Sequence, residues 1–137
     1  MHTHEMIAAH PQVLGSVNEA LLRCIDTCHD CAQACTACAD ACLGEKSLGD
    51  LVQCIRLNLD CADLCDTTAA VASRRTGSNP GVIKRILDTC AEASRVCAEE
   101  CARHAAKHDH CRICADACRR CERACRAAWA TIQAPIN

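Results

Sequence analysis

Six cysteines between Cys24 and Cys42 follow one another at steps of 4, 3, 4, 3 and 4 residues. This is the spacing of the inward-facing a and d positions of a packed helix, where leucine or isoleucine is usual. On a helix the six thiols form one stripe, about 27 Å long at a rise of about 1.5 Å per residue. The residues between them are mainly Ala, Thr, Asp and Gln. The chain must therefore bury a helix face made of sulfur instead of hydrocarbon.

Similar three- and four-residue steps in the rest of the chain predict three more helices. The first helix is predicted from Gln12 to Leu43, because Pro11 suits a helix start and Gly44 suits the position just past a helix end. The predicted N-caps of the later helices are Ser47, Ser78 or Asn79, and Asp109. The second helix should reach Arg75, the third should start at Pro80 with a seam that extends to His108, and the fourth should extend to Ile132.

Four long helices joined by short turns predict an all-α fold, an antiparallel up-down four-helix bundle. The bundle domain is predicted over residues 12–134. Residues 1–11, with His2, His4, Met6 and His10, are predicted to be a polar, disordered tail. All four seams must face one another, so the cysteines should line the core: Cys24, Cys28, Cys31, Cys35, Cys38, Cys42, Cys54, Cys61, Cys65, Cys90, Cys97, Cys101, Cys111, Cys114, Cys118, Cys121 and Cys125.

Antiparallel threading predicts two different ends for this bundle. One end should be an apolar plug made of Leu14, Val17, Leu21, Thr68, Ala72, Ile83, Ile86, Leu87, Trp129 and Ile132. The other end should carry imidazoles beside thiols, with His104, His108 and His110 near Cys42, Cys54, Cys111 and Cys114. We expect these three histidines to be metal ligands at an open mouth and His29 to face solvent. Asn58 lies among the cysteines of the second helix, either as a polar spacer or as a hydrogen-bonding partner of sulfur.

The composition narrows the classes of function. The 17 cysteines stand beside one Trp and no Phe or Tyr, so cysteine and alanine must fill the interior. A net charge of -2 without a basic block gives no support to nucleic-acid binding. No run approaches the roughly 18 apolar residues of a membrane span, and the N-terminus lacks the features of a signal peptide. We therefore expect a cytoplasmic protein with reduced thiols, and this many thiols favours metal binding.

The pattern of the thiols favours Cu(I) over other metals. Structural zinc sites use closed sets of four ligands, and no four cysteines stand out here. Iron–sulfur runs have a different spacing and a following proline. Cu(I) accepts two or three thiolates, and each thiolate can bridge two ions, so capacity should be on the order of one copper per cysteine, about 17. Equal numbers of thiolates and monovalent cations would also leave the loaded core near neutral.

The complete cysteine pattern resembles the bacterial copper storage proteins. The match rests on the six-cysteine first helix, on Cys54-x6-Cys61-x3-Cys65, on Cys90-x6-Cys97-x3-Cys101 and on the five cysteines of the last helix. The resemblance is to the cytosolic class of the family. It implies a homotetramer of four-helix bundles, each holding many Cu(I) ions, with entry at the histidine-bearing end. Exported members carry methionines at that end, whereas this chain has only Met1 and Met6.

The leading hypothesis is thus a cytoplasmic, non-enzymatic copper store, supplied by a copper chaperone or a small-thiol donor. Two alternatives remain at this point: a zinc or general thiol-rich metal buffer, and a thiol redox protein that uses Cys-x2-Cys pairs. The redox alternative is weakened because no pair lies in a strand-turn-helix setting or beside a base. The pairs also lie in the middle of helices, where disulfide geometry is poor.

Overall fold

The computed structural model describes residues 2–133. Within them the chain forms five α-helices: α1 (Thr3–Ala8), α2 (Glu19–Leu43), α3 (Val52–Ser73), α4 (Pro80–His104) and α5 (Asp109–Thr131). A short 3-10 turn, Leu48–Leu51, precedes α3. The four long helices form the all-α bundle that the cysteine spacing predicts.

The four long helices pack as the walls of a square. Helix α2 lies against α3 and α5, and α4 lies against the same two helices. Because consecutive helices are joined by short turns, neighbouring walls are antiparallel. The inward faces meet in one continuous core, which contains every cysteine and which is flanked by buried alanines such as Ala32, Ala62, Ala91 and Ala115. Alanine at these flanking contacts lets the helices approach closely, so the thiols of opposite walls can touch.

The helix ends differ in detail from the sequence prediction. Helix α2 begins at Glu19 rather than Gln12, because the Asn18 side chain accepts a hydrogen bond from the Leu21 backbone N–H at 3.0 Å. Ser47 and Asn79 precede their helices without capping them through the side chain. Asp109 is the first residue of α5, and the α4–α5 turn begins after His104 rather than after His108.

The prediction that residues 1–11 are a disordered tail is wrong for the central part of that segment. Thr3–Ala8 form helix α1, whose Ile7 is buried and belongs to the hydrophobic core. Residues between α1 and α2 then reverse direction through Leu14 and Gly15, both of which have positive φ angles, 54° and 80°. This turn places Leu14 in solvent with 82% of its surface exposed, so Leu14 does not contribute to the plug.

The apolar plug is otherwise confirmed in its position. Leu21, Thr68, Ala72, Ile83 and Leu87 are all buried at the end where α2 and α4 begin. The plug also contains Leu22 and Ile25, which lie beside the predicted seam and are buried as well. Val17, Ile86 and Ile132 are partly buried there.

Trp129 does not fill the plug as predicted. Its side chain lies on the outside of α5 and is 43% exposed. The Lys84 ammonium lies over the indole, 3.6 Å from the ring centroid, which is a cation–π geometry.

None of the helices within residues 2–133 has both the length and the apolar character that crossing a membrane requires.

Candidate metal centre

All the cysteine side chains lie inside the bundle, in one column that we call the thiol tube. Each of the 17 is a free thiol, and none is more than 2% exposed. The 3- and 4-residue steps that predict inward-facing positions account for this burial, because each step returns the side chain to the same face of its helix. The structure therefore brings together every cysteine that the sequence predicts as a core ligand.

Thiols on neighbouring walls of the tube are in direct contact. The Sγ–Sγ distances are 3.5 Å for Cys24–Cys125 and 3.5 Å for Cys35–Cys118, which join α2 to α5. The Cys65–Cys90 distance across α3 and α4 is 3.7 Å. Pairs one turn apart on the same helix, such as Cys31–Cys35, lie at 3.8 Å. Sulfur is therefore a neighbour of sulfur along the length of the tube.

Several groups of four cysteines have all their sulfur atoms within 4.8 Å of one another. Two of these groups share Cys35 and Cys118, so the groups overlap instead of forming separate sites. Overlapping donor sets suit bridging thiolates and polynuclear metal binding. Four such groups are Cys28, Cys90, Cys121 and Cys125; Cys31, Cys35, Cys61 and Cys118; Cys35, Cys97, Cys114 and Cys118; and Cys38, Cys42, Cys54 and Cys111.

Asn58 is a hydrogen-bonding partner of sulfur and not a simple polar spacer. Its side chain is fully buried, and its Oδ1 accepts hydrogen bonds from the Cys97, Cys114 and Cys101 thiols at 3.0, 3.1 and 3.4 Å. Its Nδ2 donates to Cys54 Sγ at 3.6 Å. One amide thus joins thiols of three helices, which satisfies a buried polar group that would otherwise be costly.

Two further polar side chains occupy seam positions of the tube. Ser94 Oγ, on α4, lies 3.6 Å from Cys61 Sγ on the neighbouring helix α3. Thr68 Oγ1 is buried near the plug and has no hydrogen-bonding partner among the described residues. The seam spacing predicts that both residues face inward, but the residue types alone do not predict their partners.

The quartet Cys38, Cys42, Cys54 and Cys111 has unequal acidities. Burial, followed by the negative charge of Cys54, raises the pKa of Cys42 to about 11. Burial and the same charge raise the pKa of Cys111 to about 12. Hydrogen bonds donated first by Cys101 and then by Cys38 lower the pKa of Cys54 well below its usual range. The quartet therefore favours one thiolate at Cys54, with its neighbours protonated.

The three predicted histidines lie at the same end as this quartet, and we call that end the mouth. His110 Nδ1 lies 3.3 Å from Cys38 Sγ and 3.6 Å from Cys111 Sγ. His104 Nε2 hydrogen-bonds to the Glu100 carboxylate at 2.8 Å, and His108 Nδ1 makes an ion-pair contact of 2.5 Å with the Glu45 carboxylate. His110 is thus in contact with thiols, and its predicted role as a ligand has direct geometric support.

Sequence reasoning did not identify the two carboxylates of the mouth. Glu100 precedes His104 by four residues on α4, a spacing that places two side chains on one helix face and that could have signalled the pair. Glu45 lies in the turn between α2 and α3 and reaches His108 across the mouth, a contact that no local spacing reveals. His29 is exposed, as predicted.

Comparison with known proteins identifies the family. Residues 17–130 match the model of the copper storage protein family. The copper storage protein Ccsp from Streptomyces lividans, solved loaded with 10 copper equivalents, superposes with a TM-score of 0.91 at 51% identity, covering 95% of this chain and 99% of that chain. The Cu(I)-bound copper storage protein BsCsp3 superposes with a TM-score of 0.67 at 40% identity, covering 75% and 92% of the two chains.

A protein from Bacillus subtilis is also similar to this chain in sequence. The uncharacterized cysteine-rich protein YhjQ of Bacillus subtilis (strain 168) is 39% identical over 94 residues, which is 69% of this chain and 82% of that protein. The family match spans most of the bundle, from the turn before α2 to the last turn of α5. The chain therefore belongs to the copper storage protein family.

Proposed function

We propose that this chain is a cytoplasmic store that holds many Cu(I) ions in its thiol tube. The observation that carries the proposal is the burial of 17 free thiols from four helices in one core, with sulfur–sulfur contacts between neighbouring walls. Contacting thiols at distances such as 3.5 and 3.7 Å can share a monovalent ion in linear or trigonal geometry. The helices hold these donors in place, so metal binding requires little rearrangement of the backbone.

Charge favours Cu(I) over a divalent cargo. A tetrathiolate zinc site carries two excess negative charges, and burying several of them in one core would be costly. Bridging thiolates and Cu(I) balance one for one, so the loaded tube stays near neutral at about 17 ions. The overlap of the four-cysteine groups at Cys35 and Cys118 also argues against independent tetrahedral sites. A zinc buffer is therefore the weaker candidate.

A thiol redox function has little support from the site. A redox pair should be distinguished by exposure and by a depressed pKa that makes one thiol the nucleophile. Here all cysteines are buried, including Cys54, whose lowered pKa arises from neighbouring thiols. Storage without catalysis is the function we propose.

The proposed ligands are the cysteines of the tube together with the three histidines of the mouth. Copper would enter at the mouth and reach the quartet Cys38, Cys42, Cys54 and Cys111. His110 would bridge the outside and the tube, since its Nδ1 already contacts two sulfur atoms. His104 and His108 would bind the ion before it reaches His110. The proposed ligand set is Cys24, Cys28, Cys31, Cys35, Cys38, Cys42, Cys54, Cys61, Cys65, Cys90, Cys97, Cys101, Cys111, Cys114, Cys118, Cys121, Cys125, His104, His108 and His110.

We also propose that the protein is a homotetramer that receives copper from a chaperone or a small-thiol donor. A groove of about 410 Å³ between α3 and α4 has an apolar floor that includes Leu57, Leu64 and Val96, with acidic residues also in its lining. Leu59 is 48% exposed on the outside of α3. Apolar surface of this kind supports association, and light scattering of the purified protein would give the subunit number.

Anaerobic titration of the metal-free protein with Cu(I) tests the storage proposal. We expect saturation at about 17 ions per chain with strong ultraviolet sulfur-to-copper charge transfer. Saturation with about four Zn(II) ions and weak copper binding would contradict it. His110→Ala should slow loading while leaving the capacity within about one ion of that value. His29→Ala is the matched control, because His29 is exposed on the outside of α2.

A further inference from the structure

The two mouth histidines that do not contact sulfur are each held by a carboxylate. His104 Nε2 lies 2.8 Å from Glu100 Oε2, and the two side chains are 18% and 11% exposed. His108 Nδ1 lies 2.5 Å from Glu45 Oε2, with side-chain exposures of 13% and 33%. Both contacts are largely shielded from water, so they constrain the rings more than exposed pairs would.

A carboxylate accepts hydrogen bonds and cannot donate them, so each contact assigns the ring proton. In His104 the proton lies on Nε2, which leaves Nδ1 with a free lone pair. In His108 the proton lies on Nδ1, which leaves Nε2 with a free lone pair. The two histidines are thus held as opposite tautomers, and each presents one nitrogen that can bind a metal.

The carboxylates are themselves held in place. Arg103 Nη1 lies 3.3 Å from Glu100 Oε1, which occupies the second oxygen of that carboxylate. Glu45 lies in the α2–α3 turn, so its contact joins that turn to the residue before α5. The ring of His108 stacks on that of His110, with centroids 5.5 Å apart and planes 25° apart. Fixing His108 therefore also limits the movement of His110 above Cys38 and Cys111.

We propose that Glu45 and Glu100 are positioning residues of the copper entry route. They set the ring orientation and the tautomer of His108 and His104, so that a free nitrogen of each is available to an incoming Cu(I) ion. Metal-binding histidines are generally oriented in this way by a second hydrogen bond, and loss of the partner typically costs about 10–100-fold in affinity or activity. The inference rests on the proposed entry of copper at the mouth.

Nitrogen NMR of the metal-free, full-length protein at pH 8 tests the positioning directly. Long-range ¹H–¹⁵N correlation should show His104 as the Nε2–H tautomer and His108 as the Nδ1–H tautomer. Glu100→Ala should turn the His104 signals into those of a tautomer mixture, and Glu45→Ala should do the same for His108. Other wild-type tautomers, or tautomers that do not respond to these substitutions, would overturn the inference.

Stopped-flow loading with Cu(I) tests the consequence for entry. The double variant Glu45→Ala with Glu100→Ala should load about tenfold more slowly, with the final number of coppers unchanged. Glu100→Gln with Glu45→Gln keeps an acceptor oxygen at each site and should restore most of the rate. Glu99→Gln is the matched control, since Glu99 is exposed on α4 and pairs with Arg95.

Comparison with His104→Ala and His108→Ala separates the two levels of the proposal. If the histidine variants load slowly while the glutamate variants load at the wild-type rate, the positioning role is wrong and the entry route stands. If neither set changes the rate, entry at the mouth is wrong and the positioning role falls with it. Unchanged copper capacity and helical circular dichroism in each variant exclude a folding defect as the cause.

Discussion

Lowering the pH from 8 to 6 should release copper from the thiol tube, because each bound ion replaces a proton on sulfur. Burial raises the pKa of Cys42 to about 11 and that of Cys111 to about 12, so both are thiols in the metal-free protein at neutral pH. Copper binding must therefore drive these protons off, and loading should release close to one proton per ion.

The size of the effect follows from this stoichiometry. With one proton released per ion, each pH unit changes the affinity for each copper about tenfold, or about 1.4 kcal/mol. Over two pH units the affinity should fall about 100-fold per ion. The copper affinity rises with pH because each thiol must lose its proton to bind copper. The rise ends at the pH at which the thiols are already ionised without metal. Cys54, whose pKa is lowered by its neighbours, should contribute less than one proton.

A pH-stat titration of weakly buffered, anaerobic protein measures the proton count. We expect about 17 protons for complete loading, reduced by the thiolates that are already present. Competition against a Cu(I) chelator at pH 6, 7 and 8, corrected for protonation of the chelator, gives the affinity. A variant with serine at Cys38, Cys42, Cys54 and Cys111 is the control, and its proton count should fall by up to about four. Release below about half a proton per copper would refute the reasoning.

Two further substitutions separate stability from storage. Leu87→Ala removes a fully buried side chain of the plug and should lower the free energy of unfolding of the metal-free protein by about 2–5 kcal/mol, with an unchanged copper number. Thermal melting measures the stability, and copper titration measures the copper number. A reduced copper number would contradict the separate roles of plug and tube. Asn58→Leu keeps the branched shape and the heavy-atom number of the side chain and removes the buried amide, so the stability of the metal-free protein should change by less than about 1.5 kcal/mol. Asn58→Ala adds a cavity and should be destabilised more. Equal loss of melting temperature in the two Asn58 variants would show that the sulfur hydrogen bonds dominate.

Hydrophobic periodicity predicts this fold well because it reports which face of each helix turns inward. The seam that runs from Cys24 to Cys42 is buried along its whole length, and so are the cysteine positions of the other three long helices. The positions of plug and mouth also follow from the sequence, since short turns force neighbouring helices to be antiparallel. Leu87 at one end and His110 at the other lie where this reasoning puts them.

The sequence predictions fail at residues whose placement depends on tertiary contacts with distant parts of the chain. Ile7 is the one buried residue of a six-residue helix, and only its packing against the bundle makes Thr3–Ala8 stable as a helix. Leu14 fits the seam spacing, but the chain turns there with a positive φ of 54° and the side chain points into solvent. Trp129 fits a seam step as well, yet its bulk lies outside the bundle beneath Lys84. In each case the position of the side chain is decided by tertiary packing, which the local sequence pattern does not report.

The amino-acid sequence by itself determined the sulfur-lined core, because a step of three or four residues fixes the face on which a helical side chain lies. It also determined the chemistry of the cargo, since so many thiols on one face leave few metals that match them. Only the tertiary structure decided which atoms meet at the same height of the tube. The contacts of Asn58 with three thiols, of His110 with Cys38 and of Glu45 with His108 join residues far apart in the chain, and their distances depend on how the four walls are set against one another.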